Sequence, residues 1–332
     1  MKYQHIGVIG GGSWGTALAL VAARAGRAVT LWTRDASHAA RMVEERQNAR
    51  YLPGIILPDA IRPTAETAAF RNADAVLLVT PAQTVRSVAG RFSDVLSGTC
   101  PLVICAKGIE FQTGSLMSEV LAAVLPDRQP AVLSGPTFAS EVARNLPTAV
   151  TLACEDAAVA EALSESLATP YFRPYAAADV TGVEIAGATK NVIAIACGVA
   201  MGRGLGENAR ASLITRGLAE MQRLVLAKGG SAPTLMGLGG VGDLALTCST
   251  EQSRNFAFGV LIGRGMPVAD ALSRPDIVVE GVHTARAVPK LARSLGVEMP
   301  ICEAVATVLH ENGDIDEAMQ SLLSRPLRRE AG

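Results

Sequence analysis

Residues 10–15 are Gly-Gly-Gly-Ser-Trp-Gly, and they come directly after a short apolar stretch that ends at Ile9. An alanine-rich segment follows, so the order is predicted strand, glycine turn, predicted helix. Gly10, Gly12 and Gly15 have the Gly-x-Gly-x-x-Gly spacing of a dinucleotide-binding fingerprint. In this interpretation Gly10 makes the turn, Gly12 admits the pyrophosphate and Gly15 lets helix and strand pack closely. The N-terminus of the helix then offers its free N–H groups to the phosphates.

The composition is that of a compact protein without a highly charged partner. The chain has 332 residues, which suggests about two domains, and 49% of them are hydrophobic. A formal net charge of −1 argues against electrostatic binding to nucleic acid or to a membrane surface. Aromatic residues make up 4%, too few for a surface on which bases stack.

The cysteines and histidines indicate neither a disulfide framework nor a metal site. Six cysteines are scattered without a Cys-x-x-Cys pair, and the four histidines form no ligand motif. We therefore expect a reducing compartment. The uncharged stretch from Ile6 to Ala23 could be mistaken for a signal peptide, but its glycines dilute it too much for a membrane span. The sequence thus predicts a cytoplasmic protein without a membrane span.

The first half alternates predicted strands and helices, which favours an α/β fold with a doubly wound, Rossmann-type parallel sheet. After the first pair, strands are predicted at Ala28–Trp32, Ala73–Val79, Pro101–Cys105 and Ala131–Leu133, and helices at Ala39–Gln47 and Thr84–Phe92. Ligands bind such sheets beyond the carboxyl ends of the strands. The polar residues expected there are Thr80, Lys107, Ser134 and Thr137.

The second half lacks this alternation and is predicted to be mainly helical. Helices are expected at Ala209–Lys228, Asn255–Arg264 and Thr284–Leu295. We therefore divide the chain into a dinucleotide-binding domain, residues 1–178, and a helical substrate and catalytic domain, residues 179–332.

The end of the second predicted strand bears on the choice of nicotinamide cofactor. NAD enzymes usually place an acidic residue there for the ribose 2′-hydroxyl, whereas NADP enzymes place an arginine nearby. Here Thr33 occupies the usual position of the acid, and Arg34 comes next. This favours NADP(H), although Asp35 is also within reach of the ribose, so NAD(H) use stays open.

Three segments of the second half carry candidate catalytic chemistry. Lys190 lies within an apolar, small-residue segment, where burial would lower its pKa and prepare it for proton transfer; a lysine reaching the surface is the alternative. Asp243 follows a glycine-rich stretch that predicts a flexible loop. Residues 253–255 are Ser-Arg-Asn, which suits a phosphate because the arginine guanidinium can donate two parallel hydrogen bonds to phosphate oxygens. Helix capping is the alternative role for Ser253.

Together these segments resemble the bacterial NAD(P)-dependent glycerol-3-phosphate dehydrogenases over nearly the whole chain. The Lys-Asn and Gly-Val-Gly-Asp-Leu…Ser-Arg-Asn segments are the specific ones. The matching stretches are GGGSWGTALA from Gly10, AKGIE from Ala106, SGPTFASEVA from Ser134, GATKNVIAIACG from Gly187, NARASLITRGLAEM from Asn208 and GLGGVGDLALTCSTEQSRNFAFG from Gly237.

The resemblance implies that Lys190 donates and accepts the proton in the reduction of dihydroxyacetone phosphate to sn-glycerol 3-phosphate, the precursor of phospholipids. It implies a substrate site made of Lys107, Gly135, Thr137, Lys190, Asp243, Ser253, Arg254 and Asn255. It implies a cofactor site lined by Ser13, Trp14, Arg34, Ala139, Val278 and Glu280, with Lys107 and Arg254 touching both ligands.

Two other functions remain open at this point. One is a related two-domain dehydrogenase of another hydroxy acid, such as 6-phosphogluconate or ketopantoate, which would share the first half. The other is an NADPH-binding redox sensor that has lost catalysis. The sequence leaves the oligomeric state open, a homodimer included.

Overall fold

The structure is a computed structural model, and it describes residues 3–96, 98–274 and 279–326. The strands are β1 (His5–Ile9), β2 (Ala28–Trp32), β3 (Gln47–Asn48), β4 (Leu52–Ile56), β5 (Ile61–Thr64), β6 (Ala75–Leu78), β7 (Leu102–Ile104), β8 (Pro130–Ser134), β9 (Thr148–Cys154) and β10 (Phe172–Ala177).

Helices α1–α6 lie between the strands, and α7–α14 follow the last strand. The first group is α1 (Ser13–Arg24), α2 (Ala36–Glu45), α3 (Val85–Arg91), α4 (Met117–Val124), α5 (Ala139–Ala143) and α6 (Ala157–Leu167). The second group is α7 (Val180–Gly202), α8 (Gly206–Ala227), α9 (Asp243–Thr247), α10 (Arg254–Gly263), α11 (Val268–Leu272), α12 (Glu280–Ser294), α13 (Pro300–His310) and α14 (Ile315–Leu323).

Eight strands form one sheet in the order β10-β9-β8-β7-β6-β1-β2-β5, and β3 and β4 form a separate antiparallel pair. The predicted Rossmann-type α/β architecture is confirmed, since helices cover both faces of a mainly parallel sheet. The sheet departs from the parallel arrangement at one pair, β8 and β9, which run antiparallel. Antiparallel neighbours need no long crossover, and the connection between these two holds only the five-residue helix α5.

Alternate residues of the central strands pack into separate layers of core. Val8 lies on the face covered by α1, whereas Ile9 lies with Phe92 on the opposite face, and both residues are buried. Burial of both faces explains why these strands are continuous apolar runs in the sequence.

The chain order reverses between β1 and β6, because β1 leads to β2 on one side and the chain returns to β6 on the other. Such a switch point is where open α/β sheets bind ligands. Gly10 ends β1 there with φ +127°, and a Cβ at this position would collide with the carbonyl of Val79. The backbone at Gly10 therefore requires glycine.

Helix α7 is the central element of the second half and packs closely against α10. A Cβ at Gly198 would collide with the carbonyl of Phe256, and one at Gly259 would collide with that of Ile195. The glycines thus let the two backbones touch. Because α7 and α10 run in the same direction, this contact places the start of α10 beside the middle of α7.

Helix α7 is also the one helix, within the described parts of the chain, that combines the length and apolar composition of a membrane-spanning segment. Its most apolar 18-residue window is 78% buried inside the fold. Its side chains therefore serve as the core around which α8, α10 and α12 pack.

Candidate active site

The candidate site lies where α7 passes the carboxyl edge of the sheet. Lys107 follows β7, Ser134 ends β8, and Gly135 comes directly after it. A Cβ at Gly187 of α7 would lie 3.0 Å from Ser134 Oγ and 3.6 Å from Lys107 Cγ. The helix therefore rests directly on this edge, one turn before Lys190.

Lys190, Asp243 and Lys107 form one buried network. Lys190 Nζ lies 2.5 Å from Asp243 Oδ1, and Lys107 Nζ lies 2.6 Å from Asp243 Oδ2. Lys190 Nζ also donates to Thr247 Oγ1 at 2.7 Å, and Lys107 Nζ donates to the carbonyl of Gly135 at 3.1 Å. The side chain of Lys190 is 8% exposed and that of Asp243 1%, so the surface alternative for Lys190 is wrong.

The pKa values in this network are set by burial and by the shared carboxylate. Burial lowers the pKa of Lys190 to about 8; Asp243 opposes this shift and the charge of Lys107 adds to it. Burial alone would raise the pKa of Asp243, but the two lysines together hold it below its ordinary value. Lys190 can therefore exchange a proton near neutral pH while Asp243 stays ionised.

Asp243 is not carried by a flexible loop, contrary to the sequence prediction. Leu238–Gly242 forms a kinked turn in which Gly240 has non-helical backbone angles (φ −101°, ψ −107°), and Asp243 is the first residue of α9. Within that turn a Cβ at Gly240 would collide with the backbone of Leu235, so glycine is required for this close packing. The turn fixes the carboxylate between the two lysines.

The N-terminus of α10 lies beside α7, as the close contact between Gly198 and Gly259 requires. Ser253 is its N-cap, with its Oγ accepting from Phe256 N at 3.3 Å, so Ser253 does cap this helix. Arg254 is exposed. Asn255 Nδ2 donates to Asn191 Oδ1 at 3.0 Å, and Asn255 Oδ1 accepts from Gly281 N at 2.9 Å. The bond to Gly281 ties α10 to the start of α12.

The remaining predicted residues flank the network at different distances. Thr137 Oγ1 donates to the carbonyl of Gly135 at 3.2 Å, and Ala139 begins α5. Glu280 begins α12, and its Oε2 is buried without a hydrogen-bond partner in the described structure. Burial raises the pKa of Glu280, and Arg254 opposes this shift, so the two lie within electrostatic reach. Val278 lies outside the described residues.

The glycine turn leaves an open, donor-lined space at the N-terminus of α1. A Cβ at Gly12 would meet nothing within 4 Å, and Gly12 caps the helix without a side-chain hydrogen bond. By contrast, a Cβ at Gly15 would collide with the carbonyl of Gly10. Ser13 Oγ donates to the carbonyl of Tyr51 at 2.8 Å, and Trp14 is half-buried.

After the end of β2, Arg34 and Asp35 are the two candidates for contacting the 2′ position of the adenosine ribose, and the structure places them in different environments. Thr33 is buried and Arg34 is exposed. Asp35 is the N-cap of α2 and accepts from His38 N at 3.1 Å, a bond that is the main reason its pKa lies below the ordinary value. The carboxylate of Asp35 is thus already engaged by the protein, whereas the guanidinium of Arg34 has no ion-pair partner in the described structure.

Two contacts of the site were not predicted from the sequence. The sequence places Thr247 four residues after Asp243, on the same helix face, but its bond to Lys190 was not predicted. Asn48 Nδ2 donates to the carbonyl of Gly11 at 2.9 Å and to Thr16 Oγ1 at 2.7 Å. Nothing in the sequence pattern indicates that Asn48 supports the glycine turn.

The described residues contain no group of three or more His, Cys, Asp or Glu side chains placed to hold a metal ion. All six cysteines are buried and free.

Comparison with known proteins identifies relatives across the whole chain. Family models for the N-terminus and the C-terminus of NAD-dependent glycerol-3-phosphate dehydrogenase match residues 5–160 and 179–320. A glycerol-3-phosphate dehydrogenase (NAD(P)+) of Rhodospirillum rubrum is 54% identical, with 99% of this chain and 95% of the relative covered. That of Caulobacter vibrioides is 51% identical, with 100% of each chain covered.

A solved structure agrees with these relatives. The crystal structure of glycerol-3-phosphate dehydrogenase from Coxiella burnetii is 41% identical and superimposes with a TM-score of 0.93, covering 98% of this chain and 99% of that one. The matched stretches include both the glycine turn and the lysine network. The chain belongs to the NAD-dependent glycerol-3-phosphate dehydrogenase family.

Proposed function

We propose that this protein catalyses the reversible reduction of dihydroxyacetone phosphate to sn-glycerol 3-phosphate, using NADPH or NADH, and so supplies phospholipid synthesis. The observation that carries the proposal is the buried Lys190–Asp243 pair, placed between a fingerprint turn and a helix N-terminus that offers Arg254. We assign residues 1–178 to cofactor binding and residues 179–332 to substrate binding and catalysis. The six buried free cysteines suit a cytoplasmic, reducing location.

The residues present fit a dinucleotide. The uncapped N-terminus of α1 and the open space at Gly12 suit a pyrophosphate, because free N–H groups and the helix dipole both favour an anion. Ser13, Trp14, Arg34, Lys107, Ala139, Arg254 and Glu280 would surround the cofactor, as the family resemblance implies. The reduced nicotinamide, when bound, supplies the hydride with its two electrons.

Lys190 is assigned as the proton donor. Addition of hydride to the carbonyl carbon breaks the carbon–oxygen π bond and leaves an alkoxide, and Lys190 Nζ gives its proton to that oxygen. With a pKa of about 8, the ammonium is charged at neutral pH and still loses its proton readily. In the reverse direction the neutral amine accepts the proton from the alcohol.

Asp243 and Lys107 are assigned to positioning and charge balance. Asp243 holds Lys190 in place through Oδ1 and Lys107 through Oδ2. The two ammonium groups and one carboxylate leave a net positive charge in a buried place. Such a fixed charge stabilises the alkoxide as it forms.

Arg254 is assigned to the substrate phosphate, together with Ser253 and Asn255. Its guanidinium is exposed at the start of α10, where the helix dipole also favours an anion. The side chain of Asn255 is bonded to Asn191 and Gly281, which fixes the helix start against α7 and α12. Gly135 and Thr137 would line the opposite wall.

A spectrophotometric assay with dihydroxyacetone phosphate tests the proposal, run once with NADPH and once with NADH. We expect cofactor oxidation that requires the phosphorylated triose. A panel containing 2-ketopantoate and 6-phosphogluconate separates related dehydrogenases. NADPH binding without turnover on any of these substrates would instead support the redox-sensor alternative.

A further inference from the structure

The last residue of β3 and the segment after it pack against the proposed phosphate-binding turn. Asn48, fully buried, bonds to Gly11 and Thr16, and the carbonyl of Tyr51 accepts from Ser13 at the start of α1. Residues 48–51 therefore form a wall beside the proposed phosphate-binding turn, and Arg50 belongs to that wall.

The wall contacts the first turn of α2 through the aromatic ring of Tyr51. The rings of Tyr51 and His38 pack edge to face with centroids 5.6 Å apart, and Arg50 Cζ lies 5.1 Å above the centroid of Tyr51. Burial first, and then the charges of Arg41 and Arg50, lower the pKa of His38. Both guanidinium groups therefore lie within electrostatic reach of the His38 ring, three residues after the Asp35 cap.

The corner at the start of α2 is rich in exposed arginines. Arg34, Arg41 and Arg50 are all exposed, and none has an ion-pair partner within the described residues. Asp35 places one carboxylate at the same corner. A phosphate near Asp35 is repelled by it, so one arginine alone would bind a phosphate there weakly.

We propose that Arg50 is a second determinant of cofactor specificity and binds the 2′-phosphate of a phosphorylated adenosine ribose together with Arg34. This rests on the proposed cofactor function and extends it to a residue outside the fingerprint. Arg34 approaches from the end of β2 and Arg50 from the wall beside α1. The Tyr51 ring beneath Arg50 limits the conformations of its side chain, which reduces the entropy lost on binding.

Binding of 2′,5′-ADP and 5′-AMP to the full-length protein tests the assignment, because the two probes differ only by the 2′-phosphate. We expect the wild type to prefer 2′,5′-ADP. Arg50→Gln should raise the dissociation constant of 2′,5′-ADP about tenfold, the loss typical of one charge-assisted contact. It should raise that of 5′-AMP less than twofold. Arg50→Lys should recover part of the loss. Arg286→Gln is the matched control, because Arg286 is also exposed and lies 4.3 Å above an aromatic ring, that of Phe111.

The double variant Arg34→Gln/Arg50→Gln should bind the two probes equally, because both cations that distinguish them are then gone. Equal weakening of both probes by Arg50→Gln would mean that Arg50 only supports the wall, and would overturn the proposal. No weakening of either probe would overturn it too, as would a wild type that does not prefer 2′,5′-ADP. Wild-type turnover of dihydroxyacetone phosphate with NADH tests the proposed function separately from these outcomes.

Discussion

Lys107 and Lys190 are joined through one buried carboxylate, with Asp243 Oδ2 2.6 Å from the first ammonium and Oδ1 2.5 Å from the second. Each lysine comes from a different half of the chain, one after strand β7 and the other from helix α7. One negative charge cannot neutralise two positive ones. The site therefore keeps a positive charge where the proposed reaction develops a negative oxygen.

Replacement of Lys190 by methionine tests its role as the proton donor. Lys190→Met keeps the apolar stem and its packing but removes the proton and the charge. We expect turnover to fall by the ~10²–10⁴-fold typical of general acid loss, while NADPH affinity stays near that of the wild type. Steady-state kinetics and cofactor titration measure the two effects.

The control for this variant is Lys290→Met, because Lys290 is exposed on α12 and outside the network. It should retain native turnover. If a folded, cofactor-saturated Lys190→Met protein keeps more than about a tenth of native turnover, the proton comes from another group.

The pH dependence of the reduction reports on the Lys190–Asp243 pair. Because the pKa of Lys190 is about 8, turnover in the reducing direction should fall as the pH rises above that value, since the donor is then deprotonated. Asp243→Asn removes the anion that favours the charged lysine, so the pKa falls further. The declining limb should move to lower pH by about one unit, with lower maximal turnover. A limb that stays in place would mean that another group titrates.

Much of the first half was predictable because its signals are local. The fingerprint turn and strands β1, β2 and β6 follow from glycine spacing and apolar runs within a few residues of one another. The sequence prediction did not include strands β9 and β10. In β10, Arg173 and Pro174 interrupt the apolar pattern, and the strand lies at the edge of the sheet with a partner on one side. Pairing partners distant in the chain decide such strands.

For the lysine network, the sequence indicated the residues but not their geometry. The resemblance named Lys107, Lys190 and Asp243, yet no pattern indicates that one carboxylate bridges both lysines. The kinked turn before Asp243 has the composition of a loop, and its close packing against Leu235 is a contact that composition does not reveal. Long-range contacts of this kind are absent from local sequence.

Substitution of Arg254 tests the assignment of the substrate phosphate. Arg254→Lys keeps the charge but loses the paired N–H donors, so KM for dihydroxyacetone phosphate should rise about tenfold or more while kcat changes less. Unphosphorylated dihydroxyacetone should be a very poor substrate, and its kcat/KM should hardly respond to the change. Equal losses with both substrates would place Arg254 in cofactor binding or folding instead.

Glu184 gives a prediction about stability rather than catalysis. It lies on α7, and its carboxylate accepts from Ser118 N at 2.9 Å and from Ser118 Oγ, which joins α7 to the start of α4. Burial raises the pKa of Glu184 from 4.5 to about 7, the nearby charge of Glu119 adds to this rise, and the bonds from Ser118 oppose it. The folded state thus holds a proton that the unfolded chain releases at lower pH.

The sign of the pH effect follows from this difference. The stabilisation is fully present below about pH 4.5 and is lost as the pH rises through about 7, which amounts to about 3 kcal/mol at most. Glu184→Gln stays neutral and can still accept from Ser118 N. We therefore expect the variant to match the wild type near pH 5 and to be more stable at pH 8 in urea unfolding.

Glu161→Gln is the control, because Glu161 is exposed on α6 and should give the same change at both pH values. A Glu184→Gln protein that is less stable than the wild type at pH 8 would contradict the prediction. In that case the charge-assisted bonds from Ser118 would outweigh the cost of burying the carboxylate, and α4 would be held to α7 by an ionised group.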